Sequence, residues 1–393
     1  MKILHITHNY PSNTDNTEGI FLHRINRELS SVNDIKIILL KPGFRLPCVV
    51  ESYKIDGVQV YKVSYFRPRG RIFNSLDGIF MLSARNKLPI DINEMDIIHS
   101  HWQTDGGVLG THLAKKFNKP HIVSVRGARV FEKNKRTIYG LISDFVFKKA
   151  NLIHTHGESI FQELQSKYRV PENKLIWIPN IIFNSNKLQR LLEANLKKPT
   201  QKEIYNFLFV GLNGKNKGLL DAINSFLSIK SQTKHLLTVV TDTTSSYFNN
   251  KIAPLVSHKK NIRILGKTKP QEVYQLFLKA DVFLFPSFAE GLPNVVLEAM
   301  AAGCYIISYD IPALHKLIIH DVNGRLVPIH DETKLSEEVN NFVLNNIEPE
   351  FQRYKKYNYH FLKERFDIRM ILLSYNKMYL NLLTEEQDGF SVK

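Results

Sequence analysis

Glu290 and Glu298 are separated by seven residues in the run Pro286-Ser287-Phe288-Ala289-Glu290-Gly291-Leu292-Pro293-Asn294-Val295-Val296-Leu297-Glu298-Ala299-Met300-Ala301-Ala302-Gly303. An apolar stretch ends at Pro286, Gly291 and Pro293 turn the chain, and the pattern then predicts a helix from about Asn294. A helix start leaves backbone N–H groups without intrahelical partners, and its dipole favours negative charge, so the amides near Asn294 and Val295 offer a site for phosphate. Glu290 just before that start and Glu298 about one turn inside it flank the site with carboxylates able to accept hydrogen bonds from hydroxyl groups. The simpler reading makes Glu290 a helix-end charge and Glu298 one half of a surface pair, worth only ~0.3–1 kcal/mol. The number of constrained positions in the run argues against it.

A second segment of chemical interest is Phe209-Val210-Gly211-Leu212-Asn213-Gly214-Lys215-Asn216-Lys217-Gly218, a strand end opening through glycines into a helix. A lysine there can reach a diphosphate and neutralise charge on a leaving group. The first half of the chain supplies His8-Asn9-Tyr10-Pro11, a loop to Gly19, the strand end Asp96-Ile97-Ile98-His99-Ser100-His101-Trp102, and Val123-Ser124-Val125-Arg126-Gly127-Ala128-Arg129. A histidine at a strand end is more often an ordinary polar residue than a ligand. An arginine remains charged and cannot act as a general base, but it binds phosphate or carboxylate.

The elements that must position these residues follow from periodicity. Short apolar runs alternate with amphipathic stretches, the pattern of βα units around a parallel sheet. Strands are expected at 3–7, 35–40, 58–63, 97–100, 122–125 and 152–155, with helices at 19–31, 107–117 and 159–167. A polar stretch over 184–202 suits a boundary, after which strands are expected at 207–211, 236–241, 262–265, 282–286 and 305–308, with helices at 218–231, 270–280, 294–302 and 332–343. A chain of 393 residues exceeds the size of a single core, so two domains are expected, 1–183 and 184–349. A tail over 350–393 has aromatic and aliphatic residues at helical spacing and is expected to pack on the body.

With 43% hydrophobic and 23% charged residues the composition is that of a globular protein, not a disordered one. Lys and Arg (53) exceed Asp and Glu (37), leaving a formal charge of +16 that favours phosphorylated partners or an anionic membrane surface. Much of the excess lies in Arg67, Arg69 and Arg71 and over 115–149, where Lys115, Lys116, Lys119, Arg126, Arg129, Lys133, Lys135, Arg136, Lys148 and Lys149 face only Glu132 and Asp144. A solvated face explains this as well as a lipid surface does. Nucleic acid is not an expected partner, since no recognition module accompanies the charge. Cys48 and Cys304 are too few and too far apart for a metal or disulfide framework and read as core residues. No stretch has the ~18 apolar residues of a membrane span, and the N-terminus is too short in apolar residues for a signal sequence. The expectation is a cytoplasmic protein, either soluble or peripheral at the inner membrane face. Gly266-Lys267-Thr268 does not complete a P-loop because position 261 is asparagine, no G-x-G-x-x-G fingerprint occurs, and no D-x-D pair is present to clamp a metal.

The glutamate run, readable as PS-x-x-EG-x-PN-x-x-x-EAMA-x-G, resembles the E-x7-E signature of family 4 glycosyltransferases, the retaining glycosyl transferases group 1. The resemblance implies an α/β GT-B fold: two Rossmann-like doubly wound domains facing across a cleft, the first binding acceptor and the second a nucleotide-sugar, with a C-terminal helix packing back on the body. It implies that Glu290 contacts sugar hydroxyls, that the backbone of 291–295 holds the diphosphate, and that Glu298 binds the ribose. Gly211, Gly291, Leu292, Asn294 and Val295 then belong to the donor site. The family's G-R-L-x-x-x-KG pattern places the diphosphate lysine at Lys217 and puts Leu212 where an arginine is usual. Gly19 and His101 match the family's glycine loop and strand-end histidine. Arg126 stands in place of the histidine of an H-G-S-D turn, and with Glu290 and Lys217 it is expected to act in the reaction. Pro312-Ala313-Leu314-His315-Lys316 replaces a G-G-x-x-E turn, and Pro179-Asn180-Ile181 a P-N-G turn. The expected activity is metal-independent transfer of a hexose from a UDP- or GDP-sugar, without a cofactor, to a glycan or lipid-diphosphate-linked glycan in surface polysaccharide biosynthesis. The competing readings are a catalytically inactive nucleotide-sugar-binding protein, and an epimerase or phosphorylase on the same fold.

Overall fold

A computed structural model describes residues 1–12, 18–44, 49–70, 73, 76–126, 137–181, 191, 193–194, 204–212, 214–231, 234–344 and 348–388. Cys48, Arg71, Arg129, Lys133, Lys135, Arg136, Asn213 and most of the expected boundary at 184–202 lie outside the described residues. The chain divides into two compact units, Met1–Ile181 with Arg369–Lys393, and Ile182–Ile368.

The first unit holds β1 (Lys2–Thr7), β2 (Asp34–Gly43), β3 (Val49–Ile55), β4 (Val58–Phe66), β5 (Ile97–His101), β6 (His121–Val125), β7 (Leu152–Thr155) and β8 (Leu175–Trp177) in the order β3-β4-β2-β1-β5-β6-β7-β8. All neighbours are parallel except β3 and β4. The edge strand β3 escaped the sequence pattern because Glu51, Ser52, Tyr53 and Lys54 break the apolar run; the turn at Asp56-Gly57, both at positive φ, folds it back on β4. Helices α1 (Ile20–Leu29), α2 (Asp77–Met81), α3 (Gly107–Phe117), α4 (Ile138–Lys149) and α5 (Glu158–Tyr168) connect the strands. β5 and β6 are buried along their whole length, as expected for strands covered on both faces.

The second unit holds β9 (Ile204–Val210), β10 (Lys234–Val240), β11 (Ile262–Leu265), β12 (Val282–Phe285), β13 (Tyr305–Tyr309) and β14 (Gly324–Val327), all parallel, in the order β11-β10-β9-β12-β13-β14. Its helices are α6 (Leu219–Leu227), α7 (Ala253–Val256), α8 (Pro270–Lys279), α9 (Asn294–Ala301), α10 (Glu332–Leu344) and α11 (Glu348–Arg365). Phe207, Phe226, Phe277, Phe283, Tyr305 and Tyr309 fill the layers on either side of the sheet.

The tail is two helices, α11 and then α12 (Ile368–Asp388). They part where Phe366 turns into the second unit's core beside Leu362. Tyr354 and Leu362 of α11 are buried there, whereas Tyr375 and Tyr379 of α12 are buried in the first unit. No helix among the described residues is long and apolar enough to cross a membrane.

Among their parallel strands both sheets reverse their order once. In the first the reversal lies between β1 and β5, and in the second between β9 and β12. At such a point the connections leave in opposite directions and open a crevice at the strands' carboxyl ends. The loops after Thr7, His101, Val210 and Phe285 are therefore where ligands are expected.

Candidate active site

The second unit's crevice brings together the two segments of greatest chemical interest. Gly218, the N-cap of α6, has φ +69°, and a Cβ there would lie 2.0 Å from the Pro286 carbonyl oxygen. Only glycine lets the 211–218 loop press so closely on the loop after β12. The contact is secured by the Phe288 N–H donating to the Asn216 carbonyl (3.3 Å). In consequence the Lys217 ammonium pairs with Glu290 Oε1, which also accepts the Ser287 hydroxyl at 2.9 Å. The lysine lies 5.8 Å over the Phe285 ring.

The helix α9 starts at Asn294 with Pro293 as an N-cap that supplies no side-chain acceptor. The Val296 N–H already bonds to the Pro293 carbonyl (3.0 Å), so the amides of Asn294 and Val295 form the helix's leading edge. Asn294 Oδ1 is buried without a hydrogen-bond partner. Gly291 is buried, Leu292 and Val295 are half-buried, and Glu298 is half-buried on the helix's second turn. Gly211 is buried at the end of β9, its carbonyl accepting the Thr241 hydroxyl at 2.9 Å. A cation, a helix start and a buried-edge carboxylate thus stand together, a set suited to a sugar attached to a diphosphate. Leu212 points into solvent, 55% exposed, and Lys215 is exposed as well.

Sequence reasoning missed the support beneath this loop. Phe288 stacks on His330 (4.7 Å) and Tyr309 (5.7 Å), and the Tyr309 hydroxyl donates to Asp221 Oδ2 at 2.6 Å. Burial raises the Asp221 carboxyl above its ordinary range, with the tyrosine opposing. Tyr309, His330 and Asp221 come from three distant stretches, and nothing in their spacing connects them.

In the first unit, a cavity of about 490 Å³ at the β1/β5 crevice is lined in part by His8, Lys41, Arg67, Trp102, Asp105 and Arg126. Trp102 has φ +61°, a backbone state costing an aromatic residue of order 1–3 kcal/mol and found where the surroundings require it. Its ring meets His8 at 4.6 Å, and His8 Nδ1 lies 4.0 Å from Asp105 Oδ2. Burial lowers the His8 imidazole, partly offset by Asp105. Lys41 pairs with Glu18 (2.8 Å) and Arg67 with Asp77 (2.7 Å), so charges of both signs ring the cavity. Gly19, at φ +65°, packs its turn so tightly that a Cβ would meet the Asn9 carbonyl oxygen at 2.4 Å.

His101 is buried and reaches the cavity's lining through Arg126, whose Nε donates to His101 Nδ1 at 3.3 Å. Arg126 also donates to Asn180 Oδ1 (3.0 Å) and lies 5.0 Å over Phe21. Burial lowers the guanidinium to about 10, which leaves it charged at neutral pH. Beneath it runs a polar layer on one face of the sheet. His5 Nδ1 meets His101 Nε2 at 2.8 Å, His99 meets the Tyr379 hydroxyl (2.9 Å) and Ser124 Oγ (2.7 Å), and Ser124 Oγ meets His154 Nδ1 at 2.8 Å. Burial, reinforced by Arg126, holds His5 and His154 down at about 3, and His99 and His101 well below their ordinary value. His5, His99 and His101 each bring a nitrogen within 4.8 Å of the others, the one such cluster among the described residues. Two of these rings already bond to each other and one accepts from a guanidinium, so the cluster has the chemistry of a hydrogen-bonded neutral layer. A cation bound there would sit against the Arg126 charge.

Comparison with known proteins gives a consistent result. Residues 192–361 match the family described as Glycosyl transferases group 1, and residues 21–183 match Glycosyltransferase Family 4. An uncharacterized glycosyltransferase of Methanocaldococcus jannaschii is 25% identical over 340 residues, 82% of this chain and 84% of its own length. A putative teichuronic acid biosynthesis glycosyltransferase of Bacillus subtilis is 23% identical over 349 residues, 81% and 83% respectively. An Escherichia coli enzyme named UDP-Gal:alpha-D-GlcNAc-diphosphoundecaprenol alpha-1,3-galactosyltransferase is 24% identical over 250 residues, 60% and 63%. Among solved structures, sucrose-phosphate synthase of Thermosynechococcus elongatus superposes with a TM-score of 0.73 at 18% identity, covering 98% of this chain and 100% of that one. The HepE protein of Anabaena, solved with UDP-glucose, gives 0.70 at 15% identity, with 98% and 100% covered. These structural likenesses bear on the fold, two parallel-sheet domains of the GT-B type.

Proposed function

Because the chain belongs to the family 4, group 1 glycosyltransferases of the GT-B fold, we propose that its second unit holds a nucleotide-sugar and that the enzyme transfers the sugar, a hexose, with retention of configuration. The observation that carries this reading is the Lys217–Glu290 pair at the β9/β12 crevice, set against the start of α9. A diphosphate entering there meets the Lys217 ammonium and the amides of Asn294 and Val295, which offset its charge without a metal. Glu290, fixed by Ser287, accepts hydrogen bonds from the sugar, and Glu298 takes the ribose hydroxyls. In the reaction the bond from the anomeric carbon to the phosphate oxygen breaks. The acceptor oxygen bonds to the same face of that carbon, and the acceptor's proton passes to the departing phosphate. What such a step asks of the protein is position and electrostatic stabilisation.

The acceptor we assign to the first unit is a glycan or a lipid-diphosphate-linked glycan in surface polysaccharide biosynthesis, made at the cytoplasmic face. Trp102 offers a face for a sugar ring, Asp105 and Asp77 accept hydroxyls, and Lys41, Arg67 and Arg126 match a diphosphate. Relatives named for teichuronic acid synthesis and for a diphosphoundecaprenol acceptor support this class.

The reading is tested by thermal shift with a panel of UDP- and GDP-sugars, with and without chelator, on the wild type and Glu298→Ala. Stabilisation by one nucleotide class that survives chelation and is lost in the variant is expected. A shift abolished by chelator overturns the metal-free site. Donor binding with neither hydrolysis nor transfer would instead support an inactive binding protein, the reading favoured by the solvent-facing Leu212 in place of an arginine.

A further inference from the structure

The helix α4 carries an apolar stripe that none of the described residues of the first unit covers. Its inner face, Gly140, Ser143, Val146 and Phe147, is buried. On the outer face Ile138, Leu141 and Phe145 are 53%, 61% and 49% exposed. Spacings of three and four residues put these side chains on one line, which continues into the exposed Lys148 and Lys149. A scattered exposed leucine needs no explanation, but three large apolar groups aligned on one helix and ended by lysines do.

The basic character extends beyond the helix. Next to it a cavity of about 700 Å³ is lined by Lys148, Lys167, Arg169 and Lys174, with Asp144 the only carboxylate lining it among the described residues. Asp144 is taken by Lys148 (2.6 Å), and Lys167 pairs with Glu163 (3.4 Å). Arg169 ends α5 in a left-handed conformation, exposed at the cavity.

We infer that this face docks on a membrane, with Ile138, Leu141 and Phe145 entering the boundary between headgroups and acyl chains and the adjoining cations meeting anionic lipid headgroups. The occupant is argued from charge. An apolar protein partner would cover the stripe alone, whereas a bilayer with anionic lipids satisfies stripe and cations together, at the depth an amphipathic helix reaches. A chain bearing a formal charge of +16 adds long-range attraction to such a surface. The inference does not depend on the donor-site reading.

The experiment is flotation of the full chain with vesicles of phosphatidylcholine alone and of phosphatidylcholine mixed with phosphatidylglycerol. The wild type is expected to float with the mixed vesicles and to be released by salt. Leu141→Ser with Phe145→Ser is expected to weaken binding by at least about tenfold, and Lys148→Glu with Lys149→Glu by a similar factor. These side chains are exposed, so thermal unfolding should match the wild type, and transfer to a water-soluble acceptor should be unchanged. Absence of wild-type binding to the mixed vesicles overturns the proposal, as does undiminished binding by the serine variant. Equal binding to neutral vesicles overturns its electrostatic half.

Discussion

The two units build crevices at equivalent points of their sheets by opposite means. The second uses two short segments, 211–218 and 286–298, in which neighbouring residues in sequence are neighbours in the site. The first draws single residues from β2, β4 and α2 and from just past the ends of β1, β5 and β6, and rests them on a buried histidine layer. A site made by loop backbone and a helix start is local and repeats as a motif. A site made by side chains converging from many strands leaves no such trace.

Acid should separate the units most. Burial lowers His5, His121 and His154, all in the first unit, from 6.5 to about 3. With the folded value below the unfolded one, the unfolded chain takes up the proton first. Stability is therefore intact above about pH 6.5 and falls as the pH drops toward 3, by up to ~1.4 kcal/mol per pH unit for each histidine. At about pH 5 each costs about 2 kcal/mol, enough in sum to unfold a marginal domain. Calorimetry should show an early transition, mapped by proteolysis to the first unit, moving down with pH. A single transition that does not move with pH would mean that the buried histidines do not set the first unit apart.

Next in size is the chemistry of the second crevice. Glu290→Gln keeps the shape but removes the negative charge that faces Lys217, and kcat/KM is expected to fall about a hundred- to a thousandfold. Turnover within a few-fold of wild type by a folded variant would show that the pair is structural. Gly218→Ala sharpens the local nature of the site. Its Cβ would meet the Pro286 oxygen, so a loss of about 3 kcal/mol is expected, read as a lower Tm with weakened donor binding. An unchanged Tm would mean that the two loops part readily. The smallest effect belongs to Leu212→Arg. Restoring a cation on an exposed loop should tighten donor binding by a few-fold, about 0.5–1 kcal/mol, measured by titration calorimetry. Unchanged affinity would place position 212 away from the phosphates.

Most of the parallel strands were legible because each is a short β-branched or aromatic run buried on both faces. Of the edges, β11 was legible at 262–265 but the other three were not: β3 carries charges of both signs, β8 is three residues long, and β14 begins Gly324-Arg325, so none of these has the apolar density of a central strand. The helix α4 has apolar residues on its outer as well as its inner face, which blurs the helical period, and the stripe of Ile138, Leu141 and Phe145 was hidden with it. The tail's helical period was visible, but not its break at Phe366, which depends on a pocket in the second unit's core.

Read along the chain alone, the residues already specify an α/β protein with two copies of one architecture, a carboxylate beside a helix start at 290–298, and Lys217 after a glycine turn. These are properties of contiguous residues, governed by backbone conformation and local periodicity. It took the folded chain to bring Lys217 to Glu290 and to rest Phe288 on His330 and Tyr309. The same folding sets His101 in a neutral layer with His5 and His99 and holds Trp102 at positive φ. Each depends on strand order and on side chains brought together across tens to hundreds of residues, and chain spacing carries no record of which distant group will fill a crevice.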